Sequence, residues 1–296
     1  MTSLSRRHWF LLVFLTLIWG INWPIMKIGV LDFPPLAFRT FCLFGGLPIV
    51  WMASRMQGIS LAIPKGHLKH LVRLTLPNML IWNVCVILGI KMLSSGRAAI
   101  LGYTMPVWAM LFGLFLFAER PTRAAWFGVG CALAGAMLLL SSEFSAMTGK
   151  PFGSLLVLVG AAAWGYGTVI MKRTQLEIPT LALTFWMMAL SGSVLGIGSM
   201  LFETTAWRVP TGSEWFAIGY NAVLVFGLCQ AVWFGLARSL PPVASTLSVM
   251  MIPVLGVFSG AFILGETPHW QDYAATVLIL VGMSTVLLKP RTIVHK

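Results

Sequence analysis

The chain has 296 residues and a formal net charge of +12, with 58% of residues hydrophobic and only 9% charged. Soluble domains carry about 25% charged residues, so a water-facing enzyme and a nucleic-acid binder are both excluded, and the chain must fold in lipid. Ten spans of about 20 residues would occupy roughly 200 positions, which leaves short connections and no room for a separate soluble domain.

In chain order the apolar runs predict helices over 9–29, 34–53, 70–90, 95–117, 124–142, 152–171, 181–202, 214–236, 242–264 and 270–288. The first follows Arg6 and Arg7 as a signal peptide would, but it continues to about Val30 without a small-residue cleavage site and is read as a retained helix. The third and eighth are the richest in polar residues. The runs are continuous rather than alternating, which argues against a barrel. Cys42, Cys85, Cys131 and Cys229 all fall inside apolar runs with no CxxC spacing, so neither a disulfide framework nor a metal site is expected.

Basic residues set the orientation. Fourteen of them (Arg6, Arg7, Arg55, Lys65, Lys69, Arg73, Arg120, Arg123, Lys172, Arg173, Arg238, Lys289, Arg291 and Lys296) fall on the side of the N-terminus, and five (Lys27, Lys91, Arg97, Lys150 and Arg208) fall opposite. Positive loops stay in the cytoplasm, so both termini are expected there. The excess of positive charge is thus explained by topology, and no nucleic-acid partner is expected.

The sequence also repeats itself. Trp19-Gly20 and Ile25-Met26-Lys27 recur 145 residues later as Trp164-Gly165 and Ile170-Met171-Lys172. Asp32-x-Pro34-x-Leu36-Ala37 recurs at the same offset as Glu177-x-Pro179-x-Leu181-Ala182. Pro106, Gly113, Glu119, Pro121 and Gly135 recur 147 later as Pro253, Gly260, Glu266, Pro268 and Gly282. Residues 1–148 and 149–296 therefore read as two five-helix repeats. Five is odd, so the second copy must be inverted in the membrane. The expected fold is all-α, with ten transmembrane helices in two inverted halves around a central cavity, an architecture suited to alternating access.

The run Leu17-Ile18-Trp19-Gly20-x-Asn22-Trp23, the Pro34-Pro35 start of the second helix with Arg39 inside it, and the block from Arg97 through Glu119-Arg120-Pro121 to Leu140 resemble the drug/metabolite transporter superfamily. The likeness is to its EamA-type ten-helix members, and within them to YddG-type exporters of aromatic amino acids and drugs. It covers essentially both halves. It implies a bacterial-type inner-membrane exporter of small organic metabolites, with aromatic or other apolar amino acids the favoured cargo. A drug or cation efflux carrier, or a lipid flippase of the same architecture, is the alternative.

Of thirteen tryptophans, Trp9, Trp51, Trp126, Trp207, Trp215 and Trp270 lie at span ends, as an interfacial belt would. Deeper ones pair with a polar residue one helical turn away: Asn22 near Trp19, Asn78 before Trp82 and Thr104 before Trp108. Residues three or four apart share a helix face, and an indole beside an amide suits a solute with an apolar body and a polar head. Helix packing explains any single pair; the recurrence favours a binding cavity. The expected cavity residues are Asn22, Trp23, Asn78, Trp82, Tyr103, Trp164 and Trp186.

Arg39 lies one turn inside its helix and is expected to snorkel to headgroups, or else to meet an anionic group of the cargo. Lys27 and Lys172 fit the negative ends of their own helices. Glu119 and Glu266 precede Pro121 and Pro268 and are expected to organise the turns into the following helices, with gating as a second role. Pro106 and Pro253 occupy equivalent deep positions and predict paired kinks that could serve as hinges. Gly192-x-x-x-Gly196 and Gly256-x-x-x-Gly260 predict close helix packing within one chain.

No Asp, Glu or His falls mid-span, where a proton-coupled pump would need one, so facilitated diffusion or exchange is expected. A GxxxxGK[ST] loop, an HExxH motif and a GxSxG motif are all missing from the sequence, so neither ATP use nor enzymatic chemistry is expected. The partners expected are a small-molecule substrate and the bilayer, with no cofactor; the sequence is compatible with a monomer and with a homodimer.

Overall fold

The computed structural model describes residues 6–64, 66–118, 121–145, 150–174, 178–230, 232 and 242–287. Among these residues every regular element is helical and none is a strand. Helix α1 is Arg6–Val30, α2 is Pro35–Met56, and α3 is Leu68–Met92. Helix α4 is Ser95–Phe117, α5 Arg123–Ser145, α6 Pro151–Arg173 and α7 Thr180–Phe202. Helix α8 covers 212–229, α9 is Pro242–Leu264 and α10 is Trp270–Leu287. Among the described residues seven helices, α1 to α7, are long and apolar enough to cross a membrane.

Helix starts follow the chemistry of the chain. Pro35 and Pro151 stand in the first turns of α2 and α6, where a missing N–H costs nothing and the fixed φ suits a helix. Thr211 and Glu214 form a capping box at the start of α8. At the end of α9, Gly265 takes φ +66°, the left-handed conformation that glycine adopts without a Cβ clash. Ala118 ends α4 at φ 51°, the same conformation in a residue that pays for it.

The two polar runs depart from regular α-helix. In α3, Leu76–Ile81 is π-helical, and in α8 so is Tyr220–Cys229. Pro77 has no N–H to donate back one turn. Polar side chains along this stretch donate back to carbonyls one turn earlier: Thr75 Oγ1 to that of Leu71, Asn78 Nδ2 to that of Leu74 at 3.0 Å, and Asn83 Nδ2 to that of Met79 at 2.6 Å. In α8, Asn221 Nδ2 donates in the same way to the Ala217 carbonyl at 3.1 Å. Polarity in these runs thus serves a backbone defect of the kind common at functional sites.

Helices α1–α5 interleave with α6–α10. Helix α1 lies along α9, α2 along α7, α3 along α6 and α5 along α10, while α4 packs on both α6 and α9 and α8 on both α1 and α2. Glycines set the closest approaches. A Cβ on Gly128 in α5 would stand 2.8 Å from the Gly282 carbonyl oxygen in α10, and one on Gly282 would stand 2.6 Å from that of Gly128. Gly89 in α3 meets Val157 in α6 at 2.5 Å in the same sense. Small residues replace the missing hydrophobic drive between helices in lipid by allowing backbone contact. Gly192 and Gly196 face Phe44, Leu43 and Thr40 of α2, and Gly256 faces Ala99 of α4, so both GxxxG motifs pack within the chain.

Candidate functional site

The centre of the molecule is built around a break in α4. Pro106 cannot donate to the carbonyl four residues back, and the helix is interrupted at Tyr103–Thr104 between Ser95–Gly102 and Met105–Phe117. Thr104 Oγ1 donates to the Leu101 carbonyl at 2.7 Å, which secures the break. Gly102, just before it, leaves room for two indoles: a Cβ there would lie 2.8 Å from the Trp23 ring and 3.5 Å from the Trp82 ring.

Four aromatic rings from four helices gather at this gap. Trp23 of α1 meets Tyr103 of α4 edge-on, with centroids 6.3 Å apart. Trp82 of α3 meets Trp164 of α6 edge-on at 5.3 Å. Each such pair contributes about 0.5–1.5 kcal/mol beyond burial of area. Trp23 and Tyr103 are buried, whereas Trp82 and Trp164 are half-buried, so the second pair is the one with free ring surface. Asn78 is buried, and its side chain lies directly on Gly167 of α6. Asn22 is buried with no partner on its Oδ1.

Six of the seven expected cavity residues therefore lie on α1, α3, α4 and α6 about this centre. Trp186 does not join them. It stands on α7, exposed, and its Nε1 donates to the Leu61 carbonyl at 2.7 Å, tying α7 to the α2–α3 connection.

Arg39 does not snorkel. Its side chain is 2% exposed and turns inward between α1 and α8, where Nη2 donates to Met26 Sδ at 2.9 Å and Nη1 to Asn221 Oδ1 at 3.5 Å. The rings of Phe226 and Phe38 stand 5.4 Å and 5.9 Å from its Cζ, which supplies cation–π attraction in place of water. The physical reason is reach: these acceptors and rings surround the guanidinium within one side-chain length.

The charged residues at helix ends act across helices rather than on their own. Lys27 Nζ donates to the carbonyls of Ile90, Lys91 and Leu93 at 2.7–3.0 Å, capping the end of α3 and not that of α1. Glu266 accepts from Ser95 N at 2.7 Å, Ser95 Oγ at 2.9 Å and Gly96 N at 3.3 Å. It therefore caps the start of α4 rather than the helix that follows its own turn; a carboxylate satisfies orphan N–H groups wherever a helix start comes within reach. Glu119 lies outside the described residues. The two equivalent prolines differ in their helices: α4 breaks beside Pro106, whereas α9 continues as helix through Pro253.

Three further contacts have no signature in the sequence. Glu203 at the end of α7 accepts from Leu36 N and Ala37 N, both at 2.9 Å, at the start of α2. Arg97 Nε pairs with Asp272 at 2.7 Å. Arg208 Nη1 donates to Glu214 Oε2 at 2.9 Å. Glu214 also accepts from Thr211 N at 2.7 Å. All these partners stand at helix ends that alternate crossing would put on one membrane face. Among the described residues, no group of three or more His, Cys, Asp or Glu side chains could hold a metal ion.

Comparison with known proteins identifies the family. The EamA-like transporter family model matches residues 7–141 and again residues 151–288. The uncharacterized transporter YoaV of Bacillus subtilis strain 168 is 28% identical over 92% of this chain and 94% of its own length. The uncharacterized inner membrane transporter YedA of Escherichia coli K12 is 27% identical over 93% of this chain and 88% of its own. A protein of Salmonella typhimurium LT2 named "Probable amino-acid metabolite efflux pump" is 23% identical over 95% and 94%. One solved crystal structure superposes with a TM-score of 0.68 at 23% identity, covering 98% of this chain and 100% of that one, and so shares the fold. A helical membrane chain whose matched segments span nearly its whole length, with transporters rather than enzymes for relatives, belongs to the EamA-like transporter family.

Proposed function

We propose that the protein is an inner-membrane secondary transporter that exports aromatic and other apolar amino acids by alternating access, driven by the gradient of the cargo itself. The observation that carries this reading is the ring cluster at the α4 break. Trp23, Tyr103, Trp82 and Trp164 come from helices on both sides of residue 148, and Trp82 and Trp164 keep ring surface free. A cargo ring stacking there gains what the existing edge-on pairs gain, with Asn78 one turn before Trp82 and Asn22 next to Trp23 in sequence to hold a polar head.

The transport cycle follows from ten membrane crossings in two inverted five-helix halves, 1–148 and 149–296, with both termini in the cytoplasm. Three observations support that architecture. The family model matches once in each half. Helix pairing is preserved when α1–α5 are exchanged with α6–α10, so that α1 on α9 corresponds to α6 on α4, and α3 on α6 to α8 on α1. Finally, a Cβ on Gly20 would lie 2.5 Å from Leu255 as one on Gly165 would lie 2.8 Å from Trp108, and these close approaches correspond at the offsets of 145 and 147.

Among the described residues Asp32, Glu203, Glu214, Glu266 and Asp272 all stand at helix ends or in connections, which supports exchange without a proton relay. The test is counterflow of labelled tryptophan into proteoliposomes, competed by a panel of amino acids and cationic drugs. Competition by aromatic amino acids with no imposed pH gradient is the expected result. Competition by cations alone, or flux that demands a pH gradient, overturns the reading.

A further inference from the structure

A buried guanidinium with no acid beside it needs an explanation in chemistry. Arg39 enters the membrane four residues into α2, about 6 Å from its start. Its partners are a thioether, which is a weak acceptor, an amide oxygen at the limit of hydrogen-bond reach, and two ring faces. Its Nε has no partner, and among the described residues no carboxylate forms an ion pair with it. Removing one charge from water without a counter-charge is costly, and ionisable groups kept inside a membrane at that cost mark binding sites.

A second open valence lies on the same face of α1. Asn22 is 7% exposed, and its Oδ1 accepts from nothing. Met26, which receives the Arg39 guanidinium, is four residues further along α1 and therefore on the same stripe; Trp23, three residues before Met26, borders it. Repeat equivalence points to the same place. At the offset of 145, Asn22 stands where Gly167 stands in the other half, and Gly167 is the residue on which the amide of Asn78 rests. The π-helical stretch of α8, which carries Asn221, packs on α1 as that of α3 packs on α6.

The stripe thus presents a fixed positive charge with a free N–H, a free amide oxygen and an aromatic flank leading to Tyr103. A carboxylate satisfies the first, an ammonium the second and an apolar or aromatic side chain the third. We infer that Arg39 and Asn22 form the headgroup subsite of the transporter, with the carboxylate of an α-amino acid on the Arg39 guanidinium and its ammonium on Asn22 Oδ1. This rests on the amino-acid reading above and adds the chemical reason for it: the cargo must carry both charges on one carbon. No amine lacking the carboxylate compensates Arg39, and the guanidinium repels it.

The experiment is counterflow of labelled L-phenylalanine into proteoliposomes holding the full wild-type chain, competed by unlabelled L-phenylalanine, L-phenylalaninamide, 2-phenylethylamine and 3-phenylpropionate. The amide and the amine, which lack the carboxylate, should compete at least tenfold more weakly than phenylalanine, and phenylpropionate, which lacks the ammonium, should fall between. In Arg39→Gln the apparent affinity for phenylalanine should fall at least tenfold while inhibition by 2-phenylethylamine, no longer repelled by the guanidinium, should strengthen. In Asn22→Ala phenylalanine and phenylpropionate should become equal competitors. Equal competition by phenylalanine and 2-phenylethylamine in the wild-type chain overturns the subsite alone, since transport of the aromatic body would then be intact. Failure of phenylalanine to enter or compete, while cationic drugs do, overturns the cargo reading and the subsite with it.

Discussion

Trp164 touches Trp82 edge-on and keeps part of its ring free, so its removal bears on cargo more than on folding. Trp164→Ala is expected to slow counterflow about tenfold, the equivalent of one lost aromatic pair of about 1.5 kcal/mol, while membrane insertion and the melting temperature in detergent change little. Trp186→Ala, whose indole bonds the Leu61 carbonyl and meets the Phe185 ring edge-on, should leave competition by aromatic amino acids unaltered.

Helices explain which of these residues could be foreseen. The ends of α1 to α7 lie within about three residues of the apolar runs, because a long run of apolar side chains has few other solutions in lipid. Asn78 and Trp82 were legible because an indole and an amide four residues apart share a helix face. The partners of Arg39, Lys27 and Glu266 were not, since each is on another helix and helix-end chemistry alone leaves several starts and ends within reach. Pro106 and Pro253 look alike in the sequence, yet only α4 breaks, with Thr104 and Gly102 supplying the bond and the space. Pro106→Ala restores an N–H that can reach the Gly102 carbonyl; regular helix should then propagate through Tyr103, move its ring off Trp23, and lower transport severalfold without loss of fold. Close approach is the other element-scale feature. Gly128→Leu drives a side chain into Gly282 and Thr285 and should cost about 1–3 kcal/mol as overpacking, read as a lower melting temperature.

At the scale of the molecule, Glu203, Glu266, Lys27 and the Arg97–Asp272 pair tie helix ends together on one face. Three of these ties join α1–α5 to α6–α10: Glu203 to α2, Glu266 to α4, and Arg97 to Asp272. Alternating access requires such ties to open when the halves rock, and a partly buried carboxylate accepting two backbone N–H groups is worth about 1.5–3 kcal/mol per charged bond. The central claim beneath all of this is that the halves are inverted. It is tested most directly by single cysteines at Ser60, in the α2–α3 connection, and at Thr205, in the equivalent α7–α8 connection, both exposed. Cys42, Cys85 and Cys229 are buried and Cys131 half-buried, so background labelling is low. With a membrane-impermeant maleimide on intact cells, the account predicts labelling of Ser60→Cys only after the membrane is opened and labelling of Thr205→Cys from outside; labelling of both from the same side would contradict it.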